Sequence, residues 1–359
     1  MGAEATADRA DAPAAPQRPN LAAVAALAGV SASTASLAFS GAGPVSEKTR
    51  AKVLAAAAAL DYAGPDPRAQ SLRRGRSGIV GVVIEDRLSD AFRDPMNIAM
   101  LDGITEEPGS AGLALLLLTD TGEATDISVA PMDAVVLIGC STRLDQSVVT
   151  LRQRGIPIVA IEAAHMPDVV AIDLDNRDAT RRGAQHLRDL GHTRVAIVSL
   201  PLDPEHTRGP ITPERVAASS AFTATERILG AHDVFPGIGG MVAAGSLIEE
   251  GEIAGLALLA EADRPTAVIA QSDLLAVGVI RAAERLGLRV PEDLSVLGFD
   301  GARIDGLAAH ELTTLRQPAV EKGRAAGRAI LASLAGEPAR DAEFASELRV
   351  GTTTGPAPR

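Results

Sequence analysis

The sequence predicts an α/β protein with a separate all-α domain at its N-terminus. Two observations carry this. Residues 19–62 hold small and apolar residues at helical spacing, cut by glycine and capped by Asn and Ser. From Ile79 onward, short apolar runs alternate with helical segments, the pattern of parallel strands covered on both faces. A length of 359 residues suggests two or three domains.

The first helix is expected to start at Asn20, whose side chain can accept from the free N–H groups of the first turn. Leu21, Val24, Ala25 and Ala28 then share one stripe. Gly29 supplies the left-handed turn that a Cβ would penalise. Ser31 caps a second helix with Ala35 and Ala38 on its inner face and Phe39 at its end. Alanine at Ala25, where the helices cross most closely, glycine four residues on and Val30 after it form a helix-turn-helix pattern. Ser46 caps a third helix that runs to Leu60.

Charge follows the same division. The net charge of −12 alone argues against a nucleic-acid partner. Residues 1–77, however, carry nine Lys/Arg against six Asp/Glu, while the remainder carries 25 against 40. A basic head on an acidic body fits a DNA module joined to a sensor.

These strings bear a family likeness. Val24–Ser31 reads V-A-x-x-A-G-V-S, Thr34–Ser36 reads T-x-S, Val45–Arg50 reads V-S-E-x-T-R and Ser71–Gly75 reads S-L-R-x-G. In the body, Asp175-Asn176, His186-Leu187, Gly191-His192, Arg264-Pro265-Thr266 through Gly278, Pro291–Val296, Gly298-Phe299-Asp300, Leu312–Thr314 and Gln317-Pro318 follow in a fixed order. The chain resembles the LacI/GalR family of bacterial transcription regulators as far as about Leu334.

That resemblance implies a helix-turn-helix domain and a periplasmic-binding-protein-like core of two subdomains with parallel sheets. The expected division is a disordered tail (1–18), the DNA-binding domain (19–62), a hinge helix or linker (63–77) and an effector-binding core (78–355). Subdomain 1 would hold about 78–172 and 316–340, subdomain 2 about 173–315 and 341–355. By match, the crossovers between subdomains fall near Ile172–Asp175, Gly301–Leu312 and Leu348–Thr353.

The second helix would lie in the major groove. Ala32, Ser33 and Leu37 match base-reading positions, and Ser31, Thr34 and Ser36 suit phosphate contacts. Leu37 stands where many members have a polar residue, which predicts an A·T pair facing it. Leu72 matches the leucine that wedges into the minor groove. Arg73 and Arg74 complete the set. The expected partners are a double-stranded operator and a second copy of the chain.

Matched effector contacts are Asp178, Arg215, Ser272 and Asp300. Arginine offers a donor fork and carboxylates accept from paired hydroxyls, which suits a sugar-like small molecule. Plain structural readings stand beside these: Asp178 as a helix-start decoration, Arg215 as a surface charge, Asp300 as a strand-end turn. Asp94–Asn97 replaces the family's N-P-F-F, so Phe92 becomes the nearest stacking candidate in a chain with no Trp, one Tyr and six Phe. The stretch from Leu118 to Met132 is too short for the usual second helix.

No enzyme motif is found: G-x-G-x-x-G after a strand, G-K-[ST] and H-E-x-x-H are all missing. Asp173–Asp178 has alternating acids but lacks the glycine and terminal glutamate of a calcium loop. His165, His192 and His206 lack ligand spacing and read as loop or helix-surface histidines. No metal or cofactor is expected. Cys140 stands alone and reads as a buried strand-end thiol. The first residues lack an apolar signal core and no run approaches a membrane span, so a cytoplasmic protein is expected. Two rival readings stand against this one. One is a small-molecule (sugar) binding protein without a DNA role, which the 77 extra residues and missing leader oppose. The other is a Rossmann-type enzyme, which lacks its phosphate-cradling loop.

Overall fold

The computed structural model describes residues 19–41, 43–65, 71, 75–84, 88–119, 127, 129–139, 145–304 and 310–358. The chain forms two compact units, Met1–Ser77 and Gly78–Arg359. Leu72, Arg73, Arg74, Cys140 and the tail 1–18 lie outside the described residues.

In the first unit, α1 is Leu21–Ala28, α2 Ala32–Ser40 and α3 Glu47–Ala59. Each starts on the expected cap. Asn20 accepts from the Ala23 N–H at 3.0 Å, Ser31 from Thr34 at 3.1 Å and Ser46 from Thr49 at 3.2 Å. Gly29 takes φ +67° and turns the chain between α1 and α2, which lie 102° apart. Val24, Ala25, Ala35, Ala38, Val53, Ala56 and Ala57 form the core. Its cover includes Phe39 against Tyr62, edge to face at 5.6 Å.

The second unit is built on two sheets. The first has the order β12-β5-β4-β3-β1-β2, from β1 Ile79–Ile84, β2 Ala114–Thr119, β3 Ala134–Ile138, β4 Ile158–Ile161, β5 Val170–Leu174 and β12 Ala342–Phe344. All its pairings are parallel. The second has the order β13-β11-β10-β9-β6-β8-β7, from β6 Val195–Ser199, β7 Gly209–Pro210, β8 Gly240–Val242, β9 Ala267–Ala270, β10 Ser295–Asp300, β11 Thr313–Arg316 and β13 Glu347–Arg349. It is parallel except at its two edges. Strands β1, β3, β4, β9 and β10 are buried along nearly their whole length, as their unbroken apolar runs require.

Helices cover both sheets: α4 Leu88–Ala91, α5 Pro95–Ser110, α6 Asp145–Gln153, α7 Asn176–Asp189, α8 Pro213–Ala217, α9 Phe222–His232, α10 Ile248–Leu259, α11 Asp273–Arg285 and α12 Ala319–Ala335. Several pack through glycine. A Cβ on Gly103 of α5 would overlap Val320 O of α12, and one on Gly323 of α12 would overlap Met100 O. Gly251 of α10 and Gly278 of α11 stand in the same relation to each other's backbones.

The lobe boundaries differ from the sequence expectation at two of three crossings. The first falls at Asp175, between β5 and α7. The second lies at Gln317–Pro318 instead of 301–312, because β11 pairs with β10 before the chain crosses. The third lies at Ala345–Ser346 instead of 348–353. Ala342–Phe344 pairs with β5 and so belongs to the first lobe, not the second. Between β2 and β3, residues 120–126 and 128 lie outside the described residues, while Ile127, Ala130 and Met132 enter the first lobe's core.

Candidate functional site

The exposed face of α2 is the first candidate. Ser31, Ala32, Ser33 and Leu37 are exposed, Thr34 and Ser36 half-buried. Ala35 and Ala38 face inward, so the intervening positions must face outward. The Ser31 hydroxyl shares hydrogen bonds with those of Ser33 and Thr34, both at 2.8 Å. The resulting surface is small, polar at its N-terminal end and apolar at Leu37, which is 39% exposed. Such a face can approach base edges closely, with hydroxyls to donate or accept and a leucine to meet a thymine methyl.

The second candidate is a cleft of about 210 Å³ between the two lobes. It opens at the carboxyl ends of the strands, where open α/β sheets place ligands. From the first lobe come Ile84, Ile138, Ile161 and Glu162 at strand ends, with Asp94, Met96 and Asn97 at the head of α5. Asp94 caps that helix, accepting from Met96 N–H at 2.8 Å. The second lobe contributes Asp203, His206, Phe222, Arg227, Ser272 and Asp300. Gln317 enters from the crossover.

The base of the cleft is a buried polar network. Arg227 lies on the inner face of α9 with its side chain 3% exposed. Its guanidinium stacks on the Phe299 ring at 3.5 Å. It donates to Asn176 Oδ1 at 2.8 Å and to Gln271 O at 2.5 Å, and stands 3.6 Å from Glu162 and 4.0 Å from Asp300. Glu162 has φ +54° at the end of β4. It accepts from Asn176 Nδ2 at 2.9 Å and from Lys322 Nζ. Lys322 also donates to Gln317 Oε1, and Gln317 Nε2 donates to Asp300 Oδ1 at 2.6 Å.

The two carboxyls are driven apart. Burial raises Glu162, but the Lys322 and Arg227 charges beside it outweigh that and hold it at about 2. Burial pushes Asp300 well above the usual range, aided by Asp273 and Asp94 and opposed by Arg227 and Gln317. Burial likewise raises Asp273 to about 7, against hydrogen bonds from Thr314, Ala302 and Gly301.

The structure separates the expected effector residues. Asp300 and Ser272 line the cleft. Ser272 also caps α11, accepting from Leu275 N–H at 3.2 Å, and is bonded to Ser246 at 2.9 Å. Asp178 is not among the lining residues; it decorates the first turn of α7 and pairs with Arg181 and Arg182. Arg215 is also outside the lining, turned onto Asp203 Oδ2 at 3.2 Å and onto the carbonyls of Thr207 and Pro210. Phe92 is 48% exposed and lies off the cleft, where Phe222 is the lining aromatic.

Sequence reasoning missed Arg227, Glu162, Gln317 and Lys322. The available signal was position: Arg227 and Lys322 fall on the apolar stripes of their helices, where a charge needs a buried partner. His192 is not a surface histidine. It is 1% exposed and joins Thr266, Ser295 and Gly355 O, tying the C-terminal segment to the second sheet. His165 is exposed beside Asp173, and His206 bonds Ala244 O. Among the described residues no group of three or more His, Cys, Asp or Glu could hold a metal ion, and no helix is long and apolar enough to cross a membrane.

Comparison with known proteins matches residues 20–64 to the family described as bacterial regulatory proteins, lacI family, and residues 184–354 to a periplasmic binding protein-like domain. The transcriptional regulator IpsA of Corynebacterium glutamicum is 31% identical over 337 residues, covering 89% of this chain and 93% of that protein. The lac repressor dimer bound to operator and the anti-inducer ONPF superposes with a TM-score of 0.75 at 24% identity, over 94% of this chain and all of that one. A CelR–cellobiose complex superposes at 0.65, also 24% identical, over 94% of this chain and all of that one.

Proposed function

The chain belongs to the lacI family of bacterial regulatory proteins and is a transcriptional regulator, not an enzyme, and from that premise we propose a cytoplasmic repressor that binds a pseudopalindromic operator as a dimer and answers to a small polar effector in its cleft. The observation that carries the reading is the face of α2. Ser31, Ala32, Ser33 and Leu37 stand together on the outside of a three-helix unit whose core is built from Val24, Ala25, Ala35, Ala38, Val53, Ala56 and Ala57. Ala32, Ser33 and Leu37 read bases; Ser31, Thr34 and Ser36 hold phosphates. Leu72 wedges the minor groove with Arg73 and Arg74 on the backbone, and two half-sites match two subunits.

In the core, Asp300 and Ser272 contact the effector together with Glu162. Effector binding changes the lobe angle, with coupling to the operator of about 1–3 kcal/mol. A gel-shift and footprint on the DNA upstream of its own gene tests the DNA half. The expected result is one protected, two-fold-related site at moderate salt; no sequence-specific complex, with or without metabolites, ends the proposal and leaves a binding protein without a DNA role.

A further inference from the structure

Lys322 is the feature that the cleft alone does not explain. Its side chain is 0% exposed, in the middle of the apolar face of α12 between Ala319 and Ala326. A lysine there must give up hydration, which is tolerated only if its donors are met by well-placed acceptors. They are met by two groups. Nζ donates to Glu162 of the first lobe and to Gln317 of the crossover. Gln317 hands the connection on, its amide donating to Asp300 of the second lobe at 2.6 Å. Glu162 also reaches the second lobe through Asn176, and Asn176 through Arg227. The contacts close into a ring that passes through both lobes and two of the three crossovers.

Lys322 itself does not line the cavity, whereas Glu162, Gln317, Asp300 and Arg227 do. The cations of the ring are occupied by protein groups: Lys322 by Glu162 and Gln317, Arg227 by Asn176, Gln271 O and the Phe299 face. Arg215, the other cation near the mouth, is held by Asp203. The carboxyl groups among the lining residues are those of Asp94, Glu162, Asp203 and Asp300.

Resting on the reading of the cleft as the effector site, we propose that Lys322 is a positioning residue: it fixes Glu162 on one lobe and, through Gln317, Asp300 on the other, so that the cleft grips a ligand rich in hydroxyl or ammonium donors and rejects anions. Lys322 does this without touching the ligand. Its loss would leave Glu162 with Arg227 as its cationic neighbour, beside the Asp173 charge and on the cleft that Asp94 and Asp300 also line.

The test uses the full chain and the variants Lys322→Met, Glu162→Gln and the double variant. Methionine keeps the length and removes the charge. At pH 8 the Lys322→Met protein should melt on the order of 5–10 °C below the parent, and by less than half that at pH 5, where Glu162 can take up a proton. The double variant should recover most of the loss and lose the pH dependence. A Lys322→Met protein equal to the parent, or destabilised equally at both pH values and not rescued by Glu162→Gln, would show a packing role and overturn the proposal. If Lys322→Met fails to fold, a folded double variant supports the proposal and an unfolded one overturns it.

The ligand arm uses thermal shifts of the parent with ribose, cellobiose and glucosamine against ribose 5-phosphate and gluconate. Stabilisation by the first group alone is expected, and by the anions alone would overturn the ligand class. No shift with any of them removes the cleft reading together with the ligand class, while the pH profile still decides the role of Lys322.

Discussion

Arg93 of the first lobe and Glu249 of the second meet through two hydrogen bonds, at 2.7 and 3.0 Å. Arg93 follows α4 and Glu249 sits in the first turn of α10, so the pair joins elements of different lobes. Backbone and Arg93 hydrogen bonds at the start of α10 hold the Glu249 carboxyl below its ordinary value. Both side chains are more than half exposed, and such a pair is worth less than about 1 kcal/mol and is screened by salt.

Glu249→Ala should therefore leave thermal stability almost unchanged and broaden the distribution of lobe separations. Spin labels on cysteines introduced at Val129 and Ile253, in a Cys140→Ser background, would report this by double electron–electron resonance. Raising salt from roughly 0.05 to 0.5 M should broaden the parent and leave the variant as it was. A parent distribution insensitive to salt would remove the pair from any part in closure.

On α2, Leu37→Ala should relax the preference at one base pair of each half-site while the others keep theirs. A preferred base contributes about 1–3 kcal/mol, apolar contacts falling at the lower end. Selection of bound sequences from a random library, parent against variant, measures this. Uniform weakening at every position would mean that Leu37 supports the head without reading a base.

The glycines of the helix pairs give a stability prediction with a built-in control. A methyl on Gly103 would collide with Val320 O, a backbone atom of α12 that cannot rotate aside. Gly103→Ala should cost about 1–3 kcal/mol or more by urea denaturation. Gly109, near the end of the same helix, has nothing within 4 Å of its built Cβ. Gly109→Ala should be neutral or stabilising by up to about 1 kcal/mol. Equal effects at the two sites would contradict the close crossing of α5 and α12.

Asp273 is fully buried, accepting from Thr314 Oγ1 at 2.6 Å and from Ala302 N–H at 2.7 Å. Its surroundings also hold Gly301 N–H, Arg227 and Asp300, and burial raises it to about 7. An unfolded aspartate titrates near 3.9. Between these values the folded protein holds a proton that the unfolded chain has released, so this group's contribution to stability falls as pH rises from about 4 to about 7 and is level above. Asp273→Asn should be destabilised more at pH 5 than at pH 8, and its urea midpoint should vary less with pH over that window. A constant difference across the window would show that Asp273 is already ionised at pH 5.

Much of the head could be read before folding because its determinants are local. Asn20, Ser31 and Ser46 cap within three residues of themselves, and Gly29 needs only its own φ. The apolar runs that read as strands in the core, 79–84, 113–118, 135–138, 158–161, 169–172, 195–199, 266–270 and 294–298, are all strands, some shifted by a residue or two at their ends. The short edge strands β7, β12 and β13 carry no such run, and β12 and β13 decide where the third crossing falls.

The site was legible only in part. Asp300 and Ser272 sit at strand ends, where both motif and topology point. Asp178 and Arg215 fitted the motif as well, but nearer partners, Arg181 and Arg182 for one and Asp203 for the other, take their charges. A pattern gives the residue type and not the competitor beside it.

The sequence by itself determined the helical head, with its caps and turn, and the α/β character of the core, since caps, turns and hydrophobic periods act over a few residues. Only the tertiary structure decided the base of the cleft. Lys322 and Glu162 are 160 residues apart, and a lone charge on an apolar stripe does not name its partner. Burial excludes water from both, and the fold then supplies the one arrangement in which their hydrogen bonds replace it.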